Sequence, residues 1–238
     1  MTNGFVGEQR RFYFPMALIC AGIIFLGFAP SYYLKGFIHA PPPLSALTMV
    51  HGVVFTTWVM LFVLQTALIG FGQPALHRRL GMLGAVLFGM VLTLGFSTAI
   101  TAGRLGHAPP GSPPPLVFMV LPVVGIIGAA ILVILALANR SRSDFHMRLM
   151  LSSLIFMTPP ALHRIAVGAG HAGGGTWIAL AAADLLLVGA IGYDFILHKR
   201  IHPAYLWSAG IFLAANACVA WGYSSPHWLG IATWLTRG

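Results

Sequence analysis

Seven apolar runs, each near the length a helix needs to cross a bilayer, constrain this chain more than any other feature. The hydrocarbon core of a membrane asks for about 20 consecutive apolar residues in a helix. The runs lie near Phe12 to Leu34, Leu44 to Phe71, Leu80 to Ala102, Leu116 to Ala138, Leu149 to Val167, Trp177 to Leu197 and Ala204 to Tyr223. The segments between them carry proline, glycine and charge, as in "HAPPP", "GHAPPGSPPP", "NRSRSD" and "GAGHAGGG". Only 7% of the residues are charged, against roughly 25% in soluble domains. A water-facing surface cannot be made from that mixture. The expected fold is an all-α integral membrane bundle of seven transmembrane helices, forming one domain over 1–238. The tail 224–238 is too short to span and is expected at the interface, with Trp228 and Trp234 at headgroup level.

In such a protein the net charge of +9 does not mark a nucleic-acid partner. What matters is where the basic residues fall. Arg10, Arg11, Arg78, Arg79, Arg140, Arg142, Arg148, Lys199 and Arg200 gather at one end of the spans, and Lys35, Arg104, Arg164 and Arg237 at the other. Nine against four predicts a cytoplasmic N-terminus in a bacterial inner membrane. The first run lacks a clear cleavage site after it, so it reads as a retained span rather than a leader. Cys20 and Cys218 both sit in apolar runs and read as small buried hydrophobes.

One motif recurs at the basic end: "LHRRLGML" from Leu76, "FHMRLML" from Phe145 and, more loosely, "LHKRIHP" from Leu197. It places His77, His146 and His198 or His202 at the entries of spans three, five and seven. The chain therefore reads as one opening helix followed by three helical hairpins, a weak internal repeat.

The remaining polar residues at membrane depth form stripes. In span two His51, Trp58 and Gln65 are seven apart and share a helix face. In span five His146, Ser153, Pro160 and Arg164 follow one face if the helix is continuous, since eighteen residues make five turns. His163 lies beside Arg164. Span six carries Asp184 and Asp194, and an ionisable group at such depth is a functional hypothesis. Asn216 lies fourteen residues beyond His202.

The histidines then sort into two layers. His77, His146 and His202 form an inner layer; His51 and His163 form an outer one, with Asp184 at similar depth. Two layers of helix-borne imidazoles are what a haem b electron carrier uses, and Arg79, Arg148 and Arg164 suit haem propionates. A plainer reading stands beside this one: interfacial histidines and arginines satisfy the charge rule without a cofactor, and a buried histidine can bond across helices. His39, His107, His171 and His227 read as loop or tail residues. Arg164 and Asp194 read most simply as an anchor and a charge partner. His198-x-x-x-His202 has a spacing that suits zinc on a continuous helix, with Asp194, His77 and His146 nearby, although Pro203 follows.

The stretches "HGVVFTTWVMLFVLQTALIG", "LHRRLGMLGAVL", "HMRLMLSSLIFMTPPALHRI" and "YDFILHKRIHPAYLW" together resemble a family of bacterial multi-pass membrane proteins, from His51 to Trp207. More distantly the chain is similar to cytochrome b561-like and haem A synthase bundles. That resemblance implies roles for His51, His77, Arg79, His146, Arg148, Asp184, Asp194 and His202. In span count and in its HxxxH the chain also resembles the seven-span zinc hydrolases of the alkaline ceramidase and progestin-receptor superfamily. The leading expectation is a haem-b protein in electron transfer or quinone-linked redox chemistry. A non-catalytic accessory or assembly subunit of a larger membrane complex comes second, and a zinc-dependent membrane hydrolase third.

Overall fold

The computed structural model describes residues 7, 9–38 and 43–237, the side chains of Gln9 and Arg10 apart. His39 and the Arg10 side chain lie outside the described residues. The described residues are helical with no strand, and seven helical stretches are long and apolar enough to cross a membrane. The protein is therefore an all-α, multi-pass membrane protein.

The helices are α1 (Phe14–Phe28), α2 (Ala46–Gly70), α3 (Pro74–Arg104), α4 (Val120–Ala138), α5 (Ser143–Phe156), α6 (Pro159–Gly168), α7 (Gly175–His198), α8 (Pro203–Ser224) and α9 (Pro226–Thr236). Local chemistry sets their ends. Ser45 caps α2 by accepting from the Thr48 N–H at 3.2 Å. Proline opens α6, α8 and α9, where its missing N–H costs nothing. Gly72, at φ +74°, adopts the left-handed turn that ends α2. Lys199 adopts the same conformation after α7 at φ 54°.

Two compact units divide the chain, Met1–Thr98 and Ala99–Gly238. In the first, α1 packs on α2. Tyr33 Oη lies 2.7 Å from Thr56 Oγ1, and Tyr32 Oη donates to the Met49 carbonyl at 3.1 Å. Buried Trp58 sits between Phe62 and Phe88, with ring centroids 5.6 and 5.3 Å away. In the second unit glycines bring helices close, as packing in lipid requires when hydrophobic drive between helices is absent. A Cβ on Gly128 would lie 2.4 Å from the Phe156 ring of α5. One on Gly222 would lie 2.6 Å from Val120.

Four expectations need correction. Cys218, expected to be buried like Cys20, is exposed. Span five is not one straight helix: α5 ends at Phe156, and α6 starts at Pro159. Pro159 and Pro160 donate no backbone hydrogen bond, so the ladder cannot pass through them. His146 and Arg164 thus lie on separate helices and do not share one continuous face. Trp228 is 5% exposed, and its indole N–H donates to the Leu116 carbonyl at 2.8 Å. It is a packing residue, whereas Trp234 is 70% exposed. Asp184 lies next to residue 185, the midpoint of the span Ala172–His198, rather than in an outer layer.

Candidate functional site

The polar residues of the second unit assemble into three clusters at different heights along α7.

At the basic end, α5 contributes Arg148 and Asp144, α7 contributes Asp194 and His198, and the N-cap of α8 contributes His202. Arg148 is 3% exposed and Asp194 is 1% exposed. The Arg148 Nε donates to Asp194 Oδ1 at 3.0 Å, and its terminal nitrogen grips the same oxygen. The other terminal nitrogen donates to the Asp144 carbonyl at 2.8 Å. His198 Nδ1 lies 3.3 Å from Asp194 Oδ1 and donates to the Asp194 carbonyl at 3.1 Å. Asp194 Oδ2 is buried with no partner among the described residues. His202 is buried, and its Nδ1 accepts from the Ala204 N–H at 3.2 Å. That leaves the proton on Nε2, which donates to Asp144 Oδ2 at 3.1 Å. Burial holds the His202 imidazolium below the ordinary histidine range; the bond to Asp144 works against that shift and nearby Arg148 with it.

The middle cluster is one pair. The Asn216 amide of α8 donates to Asp184 Oδ2 at 2.8 Å, and both side chains are half-buried.

At the far end His163 of α6 is 1% exposed. Its Nε2 lies 3.0 Å from Ser112 Oγ in the proline-rich loop, and its Nδ1 lies 3.4 Å from Thr176 Oγ1 of α7. Thr176 in turn lies 2.9 Å from Tyr223 Oη of α8. Phe118 packs on the imidazole at 5.6 Å, and Trp177 meets Tyr223 edge-on at 5.5 Å. Gly175 makes room for this: a Cβ there would lie 3.0 Å from His163 Nδ1. Arg164 turns aside and donates to the Pro160 carbonyl at 2.9 Å.

The recurring motif acquires a physical role in two of its three places. His77 donates from Nδ1 to the Gln65 carbonyl of α2 at 3.3 Å, and His146 does so to the Ala136 carbonyl of α4 at 2.9 Å. Ala136 belongs to the last turn of α4, where carbonyls lack intrahelical donors. Each histidine therefore ties the start of one span to the end of the preceding one. The third occurrence differs. His198 ends α7, His202 precedes α8, and they bond different aspartates. Their four-residue spacing does not lie on a helix. Among the described residues no group of three or more His, Cys, Asp or Glu side chains stands close enough to hold a metal.

In the first unit His51 is half-buried and stacks on Phe55 at 6.1 Å; its Nδ1 has no partner among the described residues. Gln65 Oε1 is likewise buried without one. Arg79 is exposed. Ser112, Asp144, Thr176 and Tyr223 had no part in the sequence-based site. Ser112 and Asp144 read as loop residues, and Thr176 and Tyr223 as ordinary span ends; long-range packing alone makes them neighbours. Comparison with protein-family models, with curated proteins and with solved structures finds no match to this chain.

Proposed function

We propose that this chain is an accessory or assembly subunit of a larger membrane complex in the bacterial inner membrane, with no catalytic centre of its own. One observation supports this reading. Three polar side chains within spans of the second unit bond side chains of neighbouring helices: Arg148 with Asp194, Asn216 with Asp184, and His163 with Thr176. Such bonds lock helices together, and each contributes about 0.6 kcal/mol on average within a membrane. The test is purification in mild detergent at native expression, followed by native electrophoresis and mass spectrometry. The reading expects a stoichiometric partner whose own assembly fails when this chain is deleted. Migration as a lone 25.4 kDa chain with no effect of the deletion would sink it.

A second reading, a haem b protein in electron transfer or quinone-linked chemistry, draws support from His51. A half-buried imidazole with an unpartnered nitrogen is a candidate ligand. His77 and His146 also donate from Nδ1 to carbonyls, the bond that orients ligating histidines. Other members of the expected set fit less well. His163 has a hydroxyl at each ring nitrogen, and Arg148 is tied to Asp194. Bound haem would supply one-electron chemistry; a reduced-minus-oxidised spectrum that loses its α-band in His51→Ala is the expected result. The zinc alternative rests on His198 and His202 alone, and metal analysis of the same sample addresses it.

A further inference from the structure

Helix α8 presents two different faces. Ala204, Tyr205, Ser208, Phe212 and Ala215 are buried, and the helix packs on α4 and α5. Pro203, Leu206, Trp207, Gly210, Ile211 and Ala214 recur at helical spacing along another face and line a groove of about 490 Å³. Sites for small molecules enclose roughly 300–1,000 Å³. Leu206 and Trp207, 60% and 64% exposed, stand as its walls. Gly210 and Ala214 keep its floor low, and a Cβ on Gly210 would meet nothing within 4 Å.

The groove has a length and a direction. It starts at Pro203, the first residue of α8, and reaches Ala214. At 1.5 Å per residue that is about 16 Å, or half of the ~30 Å hydrocarbon core. An apolar groove one leaflet deep, opening at the basic end of the span, has the shape of an acyl chain.

Charge gathers at its mouth. Lys199 and Arg200 lie in the loop just before Pro203 and are exposed. Neither forms an ion pair among the described residues. Arg142, by contrast, lies over the Phe145 ring at 3.9 Å. The chain has few anions to offer, with four acidic residues against thirteen Lys and Arg. Asp144, Asp184 and Asp194 already bond His202, Asn216 and Arg148, and Glu8 lies outside the described residues. Trp207 stands one turn inside α8, the depth at which indoles meet lipid headgroups. The positive-inside rule accounts for basic loops without any bound lipid. It does not account for a groove leading down from one of them.

We propose that the α8 groove holds one acyl chain of an anionic phospholipid, whose phosphate pairs with Lys199 and Arg200. The lipid supplies the counter-charge that the chain itself lacks, and basic sites of this kind bind anionic headgroups. No bond is made or broken. The binding goes beyond the accessory reading and does not depend on it.

The test uses the full chain in phosphatidylcholine vesicles that carry a minor fraction of phosphatidylglycerol brominated on its acyl chains. A parallel sample carries brominated phosphatidylcholine at the same fraction. Bromine quenches tryptophan on contact, and subtracting the emission of Trp207→Phe isolates Trp207. In the wild type the brominated phosphatidylglycerol should associate about fivefold more strongly, the worth of one surface cation, or better. Lys199→Asn combined with Arg200→Gln should make the two lipids equal; asparagine suits the left-handed conformation at φ 54°. Gly210→Leu should fill the groove and also remove the preference, with melting unchanged, since the added side chain enters open space. Equal quenching by both lipids in the wild type overturns the proposal. So does a preference that survives in the folded charge variant or in folded Gly210→Leu. A Trp207 that neither lipid quenches, in a protein of twice the chain's mass, would give the groove to a second copy and overturn it too.

Discussion

Arg148 and Asp194 show what a single pair of residues contributes here. Both are buried, and each is the other's counter-charge. Removing one partner of a buried pair leaves a charge uncompensated, at a cost of about 3–5 kcal/mol. Arg148→Ala should therefore lower stability in detergent by that amount, measured by thermal or denaturant melting. Arg148→Met combined with Asp194→Leu should recover most of the loss. His202 predicts a pH dependence of definite sign. Its folded value lies below its unfolded one, so the unfolded chain binds the proton more readily. Its contribution is complete above the ordinary histidine pKa of about 6.5 and is lost as pH falls through the lower folded value. Protonation also puts a hydrogen on Nδ1, which can then no longer accept from the Ala204 N–H. Melting temperatures of the wild type should fall on acidification, and those of His202→Asn, which keeps a cap, should fall less. The sequence marked Asp194 as a charge partner, and that reading is met; Asp144, read as a loop residue, became legible only through packing.

At the scale of elements, apolar length was the readable signal. It places all seven spans, because no arrangement of so few charges offers water an adequate surface. It could not place the break inside span five. "TPPA" is a stop signal, yet the run of hydropathy continues through it. The break has a consequence for the site, since α6 carries His163 independently of α5. The contact between α4 and α5 depends on Gly128 lying against Phe156. Gly128→Val should force those helices apart and cost about 1–3 kcal/mol. A melting curve that does not shift would show that the Phe156 ring can move aside. The recurring histidine motif was legible as a pattern and not as a mechanism. Nothing in "LHRRLG" says that the imidazole will reach back to a carbonyl twelve residues earlier.

For the whole molecule, the count of basic residues is the strongest argument about orientation. Nine lie at the end that carries the histidine motifs and four at the other. Alkaline phosphatase fused after Arg237 should be active, and green fluorescent protein fused there should be dark. The opposite pair of results would invert the direction assigned to every cluster. Order of synthesis adds a further consequence. The Leu116 carbonyl at the entry of span four waits for the indole of Trp228, a residue 112 positions later in the chain. By the time a ribosome has made that tryptophan, every span has already been synthesised. The start of the fourth span is thus fastened late, and a released chain cut short before Pro226 would carry all seven spans with that clasp still open.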